Sequence, residues 1–327
     1  MKTLLLGTIL LGAATLPAHE PTHIEWLTDF EAAKSKAAEE GKDILINFTG
    51  SDWCVWCHRL EGEVFNMEDF HQEAEKLYVF LMLDFPREKP QTEEIKKKNQ
   101  ELQQHFGVQG FPTIFLTDSK GRGYGRTGYQ QGGPAKYLEH LAELRKTREQ
   151  RDAMFTKASE SESIGRAKLL DQALTMLDGK QALVGYGDVI EEIKALDSND
   201  TAGLRKRWVR RAAIKDSMKT IDDALRKGEL DAALKAIDNA LTNHEPEGTD
   251  KQNLLFTKAM LYGQAKGDTK GAMGFLKEAV EAAPDSDRAP QLKAILKQVG
   301  DMLRREQDEE AKKSAEKEAE KKKGDDK

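Results

Sequence analysis

The sequence predicts an α/β domain on a mixed sheet, followed by an all-α, helical-repeat-like domain. Two short apolar runs, 44–48 (ILINF) and 78–83 (YVFLML), alternate with helical patterns in the first 145 residues. The strand signal stops after Arg145, and two segments beyond it resemble one another at an offset of 39 residues.

Each element follows from local pattern. Trp26 leads into a helix over 29–40, with Phe30, Ala33 and Ala37 on one face and Gly41 past its end. The run 44–48 has the unbroken apolar character of a central strand buried on both faces, and 78–83 repeats it, ending at Asp84. Between them, 57–77 reads as helix with a break near Phe65. Another helix spans 93–106 and stops at Gly107. Residues 113–116 (TIFL) form a third strand, Gly121 marks a turn, and 123–129 is a Gly-rich edge strand. Tyr137, Leu138, Leu141 and Leu144 then start a helical stripe.

Beyond this the chain reads as amphipathic helix to about residue 303, interrupted at 178–179, 197–200, Gly248 and Pro284. Residues 228–241 align with 267–280, pairing Ala233 with Ala272, Ile237 with Leu276 and Ala240 with Ala279. The second copy, ending Ala282-Ala283-Pro284-Asp285, resembles tetratricopeptide repeats, although the offset exceeds the 34 residues of that repeat. Residues 304–327 carry nine basic and nine acidic side chains and almost nothing to bury, as in a solvated helix or disordered tail.

The expected organisation is therefore a signal peptide (1–18), an α/β domain (19–145), a helical domain (146–303) and a charged tail (304–327). Lys2, the apolar run 4–16 and Ala18 have the form of a charged, apolar and cleavable leader. A run of thirteen residues falls short of the roughly 20 that span a bilayer. No later segment is apolar enough to span one. The reading is an exported protein without a membrane span, in a compartment where disulfides persist.

The net charge of −6 speaks against a nucleic-acid partner. It is unevenly distributed: residues 19–142 hold 14 basic and 21 acidic side chains, whereas 143–327 hold 36 of each. Asp52, Glu61, Glu63, Glu68 and Asp69 should oppose ionisation of a nearby thiol and repel acidic substrates.

Two cysteines exclude a multi-disulfide scaffold, an all-cysteine zinc site and the usual iron–sulfur cluster. Both lie in Trp53-Cys54-Val55-Trp56-Cys57-His58, after a strand and at a helix start. There the first sulfur meets unpaired N–H groups that favour a thiolate, and the second lies one turn on. Cys54 is the candidate nucleophile and Cys57 the resolving thiol, with no metal and no cofactor expected. Three other readings stand beside this one. A purely structural disulfide closing so short a loop would stabilise by only about 2 kcal/mol. A metal half-site lacks ligands at matching spacing. Cys54-x-x-Cys57-His58 also fits covalent haem c attachment, although that motif usually opens a small helical domain.

Gly110-Phe111-Pro112-Thr113 stands directly before the strand TIFL. W-C-x-x-C after one strand with G-F-P-T before another resembles the thioredoxin superfamily, over roughly Trp26–Leu144. The runs FTGSDWCVWC, Leu83-Asp-Phe-Pro86 and Gly107-Val-Gln-Gly-Phe-Pro-Thr113 look like exported bacterial members related to periplasmic disulfide reductases. The resemblance implies disulfide exchange by Cys54 and Cys57, a cis Pro112, and Trp53 packed beside the site. Phe111 and Pro112 would meet substrate. The partners implied are protein thiols and disulfides and a redox partner, with a further protein partner on the helical domain. A non-catalytic binding module built on the helical array is the alternative.

Two departures from the family matter. Thioredoxin carries a buried aspartate on the strand before the motif, where the nearest residue here is Asn47, which cannot accept a proton. Asp52 and His58 are nearer acid–base candidates, more simply read as solvated flanks. Trp56, between the cysteines, either shields Cys57, contacts substrate or packs. Elsewhere, the basic run 205–211 reads as a helix face paired with acidic neighbours, and 121–126 as a Gly-rich hairpin rather than a phosphate loop.

Overall fold

A computed structural model describes residues 24–179, 183–286 and 288–325; the leader expected over 1–18 lies outside them. The elements run β1 (Trp26–Leu27), α1 (Phe30–Glu40), β2 (Asp43–Thr49), α2 (Val55–Leu60), a π-helical turn (Glu61–Phe65), α3 (Glu68–Ala74), β3 (Tyr78–Asp84), α4 (Glu93–His105), β4 (Thr113–Thr117) and β5 (Gly123–Thr127). Helices follow: α5 (Gly133–Ser159), α6 (Ser163–Gly179), α7 (Gly187–Leu196), α8 (Leu204–Arg226), α9 (Leu230–His244), α10 (Gly248–Met260), a second π-helical turn (Leu261–Ala265), α11 (Thr269–Ala282) and α12 (Ala289–Asp325). None of these helices is long and apolar enough to cross a membrane.

The strands lie in the order β1-β3-β2-β4-β5. β2 pairs with β3 in parallel, Asp43 opposite Tyr78 through Thr49 opposite Asp84. All seven β2 residues are buried, as the unbroken apolar run requires of a strand covered on both faces. β4 and β5 are joined by residues 118–122, too short for a parallel crossover, so they form a hairpin. In its turn Asp118 accepts from the backbone N–H groups of Lys120 and Arg122, both at 3.0 Å. The α1 boundaries match local chemistry: Asp29 caps its start by accepting from the Ala32 N–H at 2.9 Å, and Gly41 ends it at φ +66°. β1 was not anticipated. Two residues long, it exists only through pairing with Phe80 and Leu81, far away in sequence.

The chain divides into two compact units, one comprising residues up to Ile114 with Thr127–Ala142, the other Phe115–Arg126 with Glu143 onward. The first has an aromatic core in which Phe65 meets Trp26 (5.4 Å), Phe70 (5.3 Å) and Tyr137 (6.0 Å), while Phe48 meets Phe106 (5.7 Å). In the second, the hairpin is held by buried polar groups. The Arg151 guanidinium pairs with Asp118 at 3.0 Å and donates to the Tyr186 hydroxyl at 2.7 Å. Tyr186 in turn donates to the Gly123 carbonyl at 2.8 Å, and the Gly123 N–H donates to Val184 at 2.9 Å. α5 runs unbroken across position 145.

The two repeat copies become α9 and α11, which pack against α8 and α10 respectively. Ala233, Ile237 and Ala240 on α9, and Ala272, Leu276 and Ala279 on α11, are all buried, so small side chains let paired helices approach closely. The basic run on α8 meets acids as expected: Arg207 pairs with Asp171 (3.0 Å), Arg210 with Glu247 (3.4 Å) and Arg211 with Asp250 (3.6 Å). α12 is helical to Asp325.

Candidate active site

Cys54 and Cys57 are joined by a disulfide, S–S 2.06 Å, with Cα atoms 5.2 Å apart. Cys54 occupies the cap position of α2 with extended backbone, and its Sγ accepts the Cys57 N–H at 3.2 Å. Such a bond favours a thiolate over a thiol, because the charged sulfur is the better acceptor. Both cysteines are more than nine-tenths buried.

The loop before the pair is built from β2 and β3 together. The N–H groups of Trp53 and Cys54 both donate to the Gly50 carbonyl, at 3.3 and 3.0 Å. Ser51 donates through its N–H (2.9 Å) and hydroxyl (2.6 Å) to the Asp84 carboxylate at the end of β3. Trp53 Nε1 donates to the Phe85 carbonyl at 2.9 Å, and the Arg87 guanidinium lies 4.0 Å from the centre of its ring. On another side Trp53 meets Phe111 edge-on at 5.7 Å. That contact joins W-C-x-x-C to G-F-P-T, where the Phe111–Pro112 bond is cis and Thr113 Oγ1 donates to the Gly110 carbonyl at 2.8 Å.

Residues 30–144 match the family model of the thioredoxin-like domain. The disulfide bond reductase DsbH of Chlamydia pneumoniae is 32% identical over 126 residues, 38% of this chain and 75% of that protein. The chain belongs to the thioredoxin-like disulfide oxidoreductases. The thioredoxin-related protein DsbJ, also of Chlamydia pneumoniae, is 27% identical over 128 residues, 39% of this chain and 37% of DsbJ. A solved DsbH oxidoreductase aligns at TM-score 0.37 with 30% identity, covering 41% of this chain and 95% of that one. Membership makes a redox pair of cysteines whose spacing also fits haem attachment.

Within the thioredoxin-like domain, Asn47 lies buried on β2 opposite Met82, and its Oδ1 has no hydrogen-bond partner. An amide there neither takes up nor releases a proton near neutral pH. His58 Nε2 is 3.1 Å from the Ser51 carbonyl, so the ring braces the loop. Asp52 is half-buried and not merely solvated. Its carboxylate accepts from the backbone N–H groups of Arg87, Glu88 and Lys89 at 2.8–3.1 Å. Those bonds, the Arg87 N–H foremost, hold its pKa down to about 2.

Trp56 projects outward from α2, 53% exposed beside a pair of buried cysteines. Its ring lies 5.3 Å from Tyr129, and the Arg59 guanidinium stands 5.0 Å from its centre. The Tyr129 hydroxyl donates to Glu63 Oε2 at 2.5 Å. Glu63 lies in the π-helical turn that follows α2. Sequence reasoning missed the roles of Asp84, Phe85, Arg87 and Tyr129, each of which acts on the site from a segment distant in the chain. The one local signal was the run Leu83-Asp-Phe-Pro86 at a strand end, where loops of an open sheet gather.

Proposed function

We propose that this oxidoreductase is exported to the bacterial periplasm and reduces disulfides in protein substrates. The observation that carries the reading is the cap position of Cys54, whose Sγ receives the Cys57 N–H. In the reduced protein the Cys54 thiolate attacks one sulfur of a substrate disulfide, forming a mixed disulfide and releasing the other sulfur as a thiolate. The Cys57 thiolate then attacks Cys54 Sγ, the substrate's second sulfur leaves as a thiolate, and the Cys54–Cys57 disulfide forms. Two electrons pass to the substrate, which takes up two protons, and a dithiol donor must reduce the pair for another cycle. The likeness to DsbH supports the reductive direction. The leader-like pattern of residues 1–18 supports export. The helical repeats are assigned to presenting protein partners.

Trapping tests the assignment. With Cys57→Ser, substrates should accumulate as mixed disulfides on Cys54; with Cys54→Ser they should not. Equal trapping by both variants, or by neither, removes Cys54 as nucleophile. A reduction potential above that of the compartment's substrate disulfides would reverse the direction.

A further inference from the structure

The wall of aromatic groups beside the dithiol is more ordered than an exposed tryptophan requires. Trp56 lies between the two cysteines in sequence, so a polypeptide bonded to Cys54 Sγ passes within reach of whatever is exposed there. Val55 and Trp56 are exposed, at 66% and 53%. Left free, an indole in water would sample several rotamers. Here Tyr129 lies against its ring at 5.3 Å and Arg59 at 5.0 Å. Tyr129 is itself fixed by its bond to Glu63, and Arg59 also acts on the Tyr129 hydroxyl. The groups that hold Trp56 leave its side chain half open to solvent. An apolar contact ordered before its partner arrives loses little further freedom on binding.

Building on the proposed reductase reading, we infer that Trp56, braced by Tyr129, is a specificity-determining contact that favours substrate disulfides whose cysteine is flanked by an aromatic side chain. The occupant is the substrate polypeptide itself, because the covalent bond to Cys54 delivers its neighbouring residues to this wall. Tyr129 and Glu63 are positioning residues that act through Trp56.

The test uses the full chain, reduced with dithiothreitol and freed of it, in single-turnover reactions with two symmetric peptide disulfides. The peptides differ only in a Phe or a Ser beside the cysteine. The wild type should reduce the Phe peptide about tenfold faster, corresponding to about 1.4 kcal/mol. The ratio should fall to about one in Trp56→Ala and to roughly a third of its value in Tyr129→Phe, which keeps the ring but removes the bond to Glu63. Taking the ratio within each variant cancels any change in thiol reactivity. A wild-type ratio near one, or a ratio unchanged in Trp56→Ala, overturns the inference. If Trp56→Ala does not fold, an unchanged ratio in Tyr129→Phe overturns it. Failure of the wild type to reduce either peptide, or bis(2-hydroxyethyl) disulfide, would instead sink the reductase reading on which it rests.

Discussion

The indole of Trp53 occupies the space that any side chain at position 50 would need. A Cβ on Gly50 would lie 2.6 Å from Nε1 and Cε2 of that ring. The ring cannot swing clear without breaking its bond to the Phe85 carbonyl and its contact with Phe111. Gly50→Ala should therefore displace Trp53, costing about 1–3 kcal/mol of stability by overpacking. The denaturant midpoint of the reduced and oxidised protein measures it. A midpoint unchanged in both would mean that the loop relaxes freely.

Asp52 makes stability depend on acid. Its folded pKa of about 2 lies below the ordinary carboxylate value, so its contribution is fully present above about pH 4. That contribution is lost as the pH falls through about 2. Asp52→Ala should thus be less stable than the wild type at pH 6, and the gap should shrink toward pH 2. Urea midpoints at both pH values check this; a gap constant with pH would show that the three backbone bonds do not depend on the charge.

Arg151 is almost fully buried and serves both Asp118 and Tyr186. Replacing it by Met leaves Asp118 with its two backbone donors but no cation and should cost about 3 kcal/mol, since a partly buried charge loses its counter-ion. Asp118→Asn combined with Arg151→Met should recover part of the loss. Additive losses in the double variant, by urea unfolding, would contradict the coupling.

A chain ended at Arg145 loses Arg151 and Tyr186 and with them the anchors of the β4–β5 hairpin. Residues 24–145 should unfold at lower denaturant than residues 24–226, and amides of 118–123 should exchange faster in the shorter fragment. Equal midpoints and equal exchange would refute the dependence.

Ala240 and Ala279 are buried where paired helices meet. Enlarging either to Leu should destabilise by about 1–3 kcal/mol, because packed helices have no room to separate without losing other contacts. Thermal unfolding of the full chain reports it, with exposed Lys235→Leu as the comparison; equal losses at buried and exposed positions would argue against close packing.

Most of the sheet was legible because the central strands are buried on both faces and so read as unbroken apolar runs. Gly41, ending α1, was readable for a similar local reason, whereas Asp29 read as the first helical residue and is its cap. The two-residue β1 carries no such signal; its hydrogen bonds come from Phe80 and Leu81. Asp52 looked like a solvated carboxylate because its three N–H partners lie 35 to 37 residues on. Trp56 could equally have been packed, since side-chain type does not tell which way a helix face turns.

By itself the sequence determined the chemistry and the strands that carry it: two cysteines one helical turn apart, an apolar strand before them, and Phe111-Pro112 before another. Those depend on covalent spacing and on patterns a few residues long. Only the tertiary structure decided how the pair is held, with Trp53 against Phe85 and Phe111, Ser51 on Asp84, Asp52 on the loop at 87–89, and Trp56 open beside Tyr129. Each of these is a contact between segments far apart in the chain, fixed when the sheet and its loops assemble, and no local pattern encodes it.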